Sequence, residues 1–338
     1  MIATWNTRAA GGRGWHGPWK WVRPEDDMDL VVLTETETPF ALRALRDVVA
    51  SNGTITPAER RFIEVIAELH ATRVDVDTLA SIAPGEVAEA ITEPHRRKRV
   101  VQLASIAAMV EGDVTAAEAA VVKALAAALE VEERGLKVLD DIAADHQLLT
   151  RFDMLRRIMG KYGTKAYQEE GFAGVRKMMA FWGGGEDPQV AWKYKQLSLL
   201  PEGTIGREFW EHCAKNRFSV PGEKGGIPER MVFHDFGHIL AGYDTTPGGE
   251  IQQGAFQGGF VREDGFAFLM FAIIQFHLDI KVTPVSPGYA GLFDVPKVLR
   301  AAQRGAECKV DLSDHWDPFA VADVPLEQIR AEYGVAAV

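Results

Sequence analysis

The chain is poor in cysteine, has no long apolar run and carries no surplus of positive charge. Cys213 and Cys308, its two cysteines, lie far apart with no CxxC or framework spacing. A disulfide scaffold and a cysteine-held zinc finger are thereby excluded, and the expectation is two free thiols in a reducing compartment, the cytoplasm. The longest apolar run, 266–274, falls far short of the ~20 residues that span a bilayer. No basic stretch leads into an apolar segment at the start, so neither export nor a transmembrane anchor is expected. Lys and Arg total 37 against 48 Asp and Glu, a formal charge of -11, which lacks the electrostatic footprint of a nucleic-acid binder. From Pro201 onward no convincing period-two series appears either, which argues against a sheet there.

What is present is ordinary globular composition. Hydrophobic residues make up 47% and charged residues 25% of 338, enough chain for two domains with substantial cores. Residues 1–35 stand apart as a basic, Trp-rich arm: the first 24 residues hold Arg8, Arg13, Lys20 and Arg23, tryptophans 5, 15, 19 and 21, and no acid. Trp interleaved with basic residues suits an anionic membrane surface. The Gly-rich spacing favours instead an arm packed on the protein's own surface, because it gives no amphipathic helix.

Two segments read alike when laid 59 positions apart. Residues 50–59 run Ala-Ser-Asn-Gly-Thr-Ile-Thr-Pro-Ala-Glu, and residues 109–118 run Met-Val-Glu-Gly-Asp-Val-Thr-Ala-Ala-Glu. In each copy an apolar helix ends near a glycine, Gly53 or Gly112, and a β-branched residue follows. Thr-x-x-Glu then opens a second helix as a capping box. Flanking apolar positions recur at helical spacing, as in Phe62, Val65, Ile66 and Leu69, so an internal duplication of helical hairpins is predicted. The acids Glu111, Asp113 and Glu118 could hold a cation, but capping accounts for Thr and Glu at this spacing without one. On these turns the segment resembles the tellurite-resistance TerB-like domain over residues 36–145. An interaction or scaffolding role is expected for it.

Gly/Pro breaks at 182–188 and 200–204 separate a helical connector, 146–189, from a C-terminal domain, 190–338, in which apolar segments of helical length alternate with turns. The fold class expected is therefore all-α, an N-terminal bundle followed by a second helical domain. Pro228 suits the first turn of a helix that runs through Arg230, Phe233, Asp235 and Ile239 and stops at Gly242. His234 and His238, at i and i+4, then share one face a turn apart, the spacing by which His-x-x-x-His pairs grip zinc, with Asp235 on the adjoining edge. Gly237 costs about 1 kcal/mol inside a helix relative to alanine, so a ligand or neighbouring helix should approach the backbone there. Glu250, at the start of the next helix, can fold back as a fourth ligand. Arg207 is a candidate for an anionic head group or simply a surface residue, and His277 and His315 are second-tier acid–base candidates.

The string His234-Asp-Phe-Gly-His238-x11-Glu250 resembles the metal motif of the coenzyme Q biosynthesis protein 4 family. Leu-Pro-Glu-Gly-Thr-Ile-Gly-Arg at 200–207, His-Trp-Asp at 315–317 and Pro-Leu-Glu-Gln-Ile-Arg-Ala-Glu-Tyr-Gly at 325–334 resemble its flanking elements in the same order, over residues 190–338. The chain departs from the family in its fused N-terminal domain and in Trp316-Asp317, where Trp-Glu is commoner. The resemblance implies that His234, Asp235, His238 and Glu250 hold and use Zn2+, with Fe2+ or Mn2+ as alternatives. It further implies a decarboxylase (lyase) of ubiquinone biosynthesis that replaces a ring carboxyl of a polyprenylated hydroxybenzoate by hydroxyl.

The rival expectation is a non-catalytic lipid-binding scaffold for other quinone-biosynthesis proteins, with a structural zinc. An HD-type phosphohydrolase, suggested by the adjacent His234 and Asp235, would need a further upstream His and a downstream Asp at the same metal. The all-round apolar 266–274 segment, preceded by the small Ala255, Gly258 and Gly259, must be buried, as domain core or as the wall of a prenyl tunnel. The partners expected are a prenylated aromatic lipid, other pathway proteins, a second copy of the chain and, peripherally, the inner face of the membrane.

Overall fold

A computed structural model describes residues 28–170, 185–283 and 287–336; the Trp- and Arg-rich stretch of the arm lies outside the described residues, as do residues 182–184 of the break at 182–188. The fold is all-α. Among the described residues there is no strand, only two isolated antiparallel bridges, Thr204 with Pro325 and Leu278 with Ala290.

The predicted hairpins form as the capping signals require. Helix α1 (Thr38–Val49) ends in a short 3-10 turn and Gly53, whose φ of +97° is open to glycine at little cost, and α2 (Pro57–Leu69) follows. After the short α3 (Pro84–Ala90), α4 (Pro94–Ala107) passes through Gly112, φ +91°, into α5 (Ala116–Ala128). Thr56 and Glu59, and again Thr115 and Glu118, close reciprocal capping boxes, which satisfy backbone N–H groups that a helix start leaves without partners. Helix α6 (Gly135–Ala143) completes this region and α7 (Gln147–Glu170) leads out of it.

The second region comprises α8 (Pro188–Lys195), α9 (Ile205–Asn216), α10 (Phe233–Ala241), α11 (Pro247–Phe260), α12 (Gly265–Phe276), α13 (Val295–Glu307) and α14 (Leu326–Tyr333). Helix α11 is its centre, packed against both α12 and α13. Small residues permit the approach. A Cβ at Gly259 would strike the α13 backbone at Ala302, one at Gly305 would strike Phe256, and one at Gly254 would strike Ala272. Helix α12 is buried along its length except at Phe271, and each large apolar side chain withdrawn from water contributes about 1.5–3 kcal/mol.

The two regions share one continuous apolar core. Polar contacts fasten them where that core is crossed: Arg157 of α7 bonds Glu133 at 3.0 Å and Asp264, at the start of α12, at 2.8 Å. His277, just past α12, donates from Nε2 to Val110 O at 2.9 Å and accepts at Nδ1 from Phe293 N–H at 3.2 Å.

Candidate metal centre

The α-helix that carries the His pair starts later than proline placement suggested. Pro228 opens a separate 3-10 turn, Glu229–Met231, and α10 begins at Phe233. Its end agrees with expectation: Gly242 takes φ +79° and its N–H returns to His238 O at 2.8 Å. The next helix opens on Thr246, whose hydroxyl caps Gly249 N–H at 3.2 Å, with Pro247 in the first turn. Glu250 therefore sits within the positive end of α11, which favours its ionised form.

His234, His238 and Glu250 converge. The two Nε2 atoms lie 3.3 Å apart, and each is 3.4 Å from a different oxygen of Glu250, His234 from Oε2 and His238 from Oε1. Among the described residues, this is the group of three metal-type donors whose atoms all fall within 4.8 Å of one another. Asp235 is not a member. Its carboxyl is held above its usual range, first by burial and then by Glu250, with the two histidines pulling the other way, and its charge is felt at Tyr194 and Cys213.

The outward nitrogens are fixed as well. His234 Nδ1 lies 2.9 Å from Gln257 Oε1, and His238 Nδ1 lies 3.1 Å from Tyr243 O. Both partners are acceptors, so each Nδ1 carries the proton and each Nε2 can turn a bare lone pair to the centre. Gln253 adds the backbone: its Nε2 donates to His234 O at 3.1 Å and occupies the space a Cβ at Gly237 would need. The neighbouring helix expected at Gly237 is α11. The centre is sealed on one side and open on the other, since the His238 side chain is 1% exposed and that of His234 is 28%.

Electrostatics match a site that exchanges a proton for a cation. Burial by itself would depress His234, but the hydrogen bond and charge of Glu250, then Asp235 and Gln257, raise it to about 9. Burial would likewise raise Glu250, yet hydrogen bonds and charge from both histidines hold it well below the usual carboxylate range. Two imidazoles with anchored Nδ1–H groups and one carboxylate fit zinc, and also iron(II) or manganese(II).

The sequence reading missed four contributors. Gln253 and Gln257 stand at i+3 and i+7 from Glu250 on α11, a one-face spacing that could have exposed them. The Tyr243 carbonyl and His212, on α9, left no local signal. The His212 ring stacks on His238 at 5.7 Å and 29°, and burial followed by the charges of His238 and His234 pushes it down to about 4. No aspartate completes an HD-type set among the described residues. The second-tier candidates lie elsewhere. Arg207 is engaged by Glu211 and Ser198 O, His277 serves the junction between the regions, and His315 lies exposed beside Asp314 at 3.7 Å. Cys213 and Cys308 are free and buried, with thiols pushed up to about 12 and about 11.

No helix among the described residues is long and apolar enough to cross a membrane. No family model matches the chain, and no curated protein matches it. A solved structure from Nostoc punctiforme, provisionally named a ubiquinone biosynthesis protein, is weakly similar: 19% identity and a TM-score of 0.32 over 60% of this chain and 95% of that one. So loose a superposition says nothing about function, and the chemistry of the centre rests on its own side chains.

Proposed function

We propose that His234, His238 and Glu250 hold one divalent ion, zinc first, and that the chain acts in ubiquinone biosynthesis on a polyprenylated hydroxybenzoate-type precursor, replacing its ring carboxyl by hydroxyl. The observation that carries the metal is the convergence of three donors whose outward nitrogens are already anchored. The pathway and substrate are carried by the resemblance of the 234–250 motif and its flanking elements.

Three convergent protein donors leave a coordination position for substrate, the pattern of catalytic rather than structural zinc. A bound zinc would supply Lewis-acid polarisation of a carboxylate or phenolate oxygen. The chain's own part is to hold a proton on each outward Nδ1 through Gln257 and Tyr243 O so that each Nε2 faces the ion, to place the Glu250 charge between them, and to exclude water on the His238 side. Release of carbon dioxide and gain of hydroxyl is a two-electron oxidation. Dioxygen would provide the hydroxyl oxygen, its second atom leaving as water with two electrons from a reductant.

The scaffold reading draws on a different fact. The donors come from two helices, so an ion would tie α10 to α11. Elemental mass spectrometry on wild type and on Glu250→Ala, with turnover of a prenylated hydroxybenzoate under oxygen, separates the two. About one zinc per chain and turnover, both lost in a folded Glu250→Ala, support the enzyme; zinc without turnover, with unfolding of Glu250→Ala, supports the scaffold; absence of any metal refutes both.

A further inference from the structure

Helix α10, which carries both histidines, leaves its last four carbonyls without partners inside the helix, and each of them has a fixed donor. His238 O accepts from Gly242 N–H at 2.8 Å. Two arginines from other helices take the remaining three. Arg330 of α14 donates from Nη2 to Ile239 O at 2.8 Å and from Nε to Leu240 O at 2.9 Å, and Arg304 of α13 donates from Nη2 to Ala241 O at 3.2 Å. The helix dipole favours a cation at this end, in addition to the bonds themselves. Beyond that shared role the two arginines differ. The remaining arm of Arg330 turns outward to the exposed Glu327, whereas Arg304 reaches on into the protein.

Arg304 Nη1 donates to the Tyr243 hydroxyl, its guanidinium lies over the Tyr243 and Phe256 rings at 5.2 and 5.9 Å, and its Nη2 also donates to Ala336 O. Tyr243 is buried, and it is the residue whose carbonyl accepts from His238 Nδ1 at 3.1 Å. The two histidines are thus fixed by different means. Gln257, a side chain on α11, holds His234, but His238 is held by a backbone carbonyl just past Gly242, whose φ of +79° marks where the chain reverses. The direction of that carbonyl follows from the Tyr243 backbone angles, and the Tyr243 side chain is anchored by a hydrogen bond from a charged donor at its tip and by a cation–π contact on its ring. Resting on the metal-centre reading above, we infer that Arg304 is a positioning residue for the centre: by fixing Tyr243 it aims the carbonyl that keeps the proton on His238 Nδ1, and so turns His238 Nε2 to the ion. Arg330, whose bonds end at Ile239, Leu240 and Glu327, serves the stability of the helix end.

The test uses the full chain and two readouts at a temperature where every variant is folded: zinc affinity by chelator competition, and the rate at which the His238 Nδ1 proton of the zinc-loaded protein exchanges with solvent, followed by NMR of the imidazole nitrogens. Arg304→Met should bind zinc about tenfold more weakly, the lower end of the cost of losing an outer partner, and should exchange that proton faster. Tyr243→Phe keeps the carbonyl and removes the hydroxyl that Arg304 holds, so it should move both readouts in the same direction by a smaller amount. Arg304→Lys, which keeps the charge and a donor, should recover part of the loss. Arg330→Met should lower the melting temperature of the metal-free protein and leave both zinc readouts at the wild-type value. Wild-type affinity and exchange in Arg304→Met overturn the proposal and leave the metal reading standing. If Arg304→Met does not fold, the same result in Tyr243→Phe overturns it. An equal loss of zinc affinity in Arg330→Met overturns it as well, because the helix end as a whole would then set the affinity. A wild type that takes up no zinc overturns both readings together.

Discussion

Three glutamates near helix starts, Glu59, Glu118 and Glu250, meet opposite fates because of a one-residue shift. In α2 and α5 the N-cap threonine is followed by glutamate at the third helical position, where the carboxylate folds back: Glu59 Oε2 accepts from Thr56 N–H at 2.7 Å, and Glu118 Oε2 from Thr115 N–H at 2.8 Å. In α11 the third position is Gly249 and the glutamate is the fourth residue. Its carboxylate takes no part in the cap and reaches across to α10. Burial pushes Glu59 and Glu118 up, with help from Glu111, while the two histidines pull Glu250 down. The same side chain is spent on local structure in one register and freed for tertiary chemistry in the other. The two repeats are not identical either: Asn52 Nδ2 reaches Glu118 Oε1 at 3.3 Å, whereas Glu59 Oε1 is buried without a partner.

Substitution to glutamine breaks the comparison most sharply. Glu250→Gln removes the charge that sits between two imidazoles, and zinc affinity by chelator competition should fall more than a hundredfold, beyond the roughly 10–100-fold cost of losing an outer partner. Glu59→Gln and Glu118→Gln should leave zinc affinity at the wild-type value. The pH dependence separates the glutamates next. Because a proton on His234 competes with the metal up to about pH 9, apparent zinc affinity should rise about tenfold per pH unit from neutrality to that point, then level off.

Without metal the sign reverses. A histidine raised to about 9 contributes stability that is full below its unfolded value and lost as pH rises through about 9, so the melting temperature of the metal-free protein should decline across that interval. Glu250, being lowered, contributes stability above its unfolded value that is lost in strong acid. Glu59 and Glu118, being raised, contribute stability below their unfolded values that is lost as pH rises.

Gly237→Ala tests the frame rather than the donors. Its Cβ must displace Gln253 from His234 O, and about a tenfold loss of zinc affinity is expected, measured by the same competition. The smallest effects belong to the capping boxes. Thr56→Ala or Thr115→Ala should cost about 1 kcal/mol each in chemical denaturation, with zinc binding unchanged, and Glu59→Gln should shift stability at neutral pH by less than about 1 kcal/mol, since the amide oxygen can still accept from Thr56.

Much of this was legible locally. The Thr-x-x-Glu boxes, the two left-handed glycines, the stop at Gly242 and the His234–His238 face depend on residues within a turn or two of each other. The start of α10 is not legible from Pro228, which is equally suited to a 3-10 turn, and only packing of the following turns decides between them. Asp235 is adjacent to His234 in sequence, yet in the fold it stands outside the donor cluster, because consecutive helical residues point about 100° apart.

The sequence by itself determined the all-α class, the duplicated turns and the two imidazoles of one helix face, since each follows from spacing, capping and backbone sterics that act over a few residues. Only the tertiary structure decided that Glu250 meets that face, that Gln257 and Tyr243 O hold the proton on each outward nitrogen, and that His212 is brought beside His238 from α9. Those contacts join separate helices, and they are set by how closely glycines such as Gly237 let the helices approach, a distance no local pattern encodes.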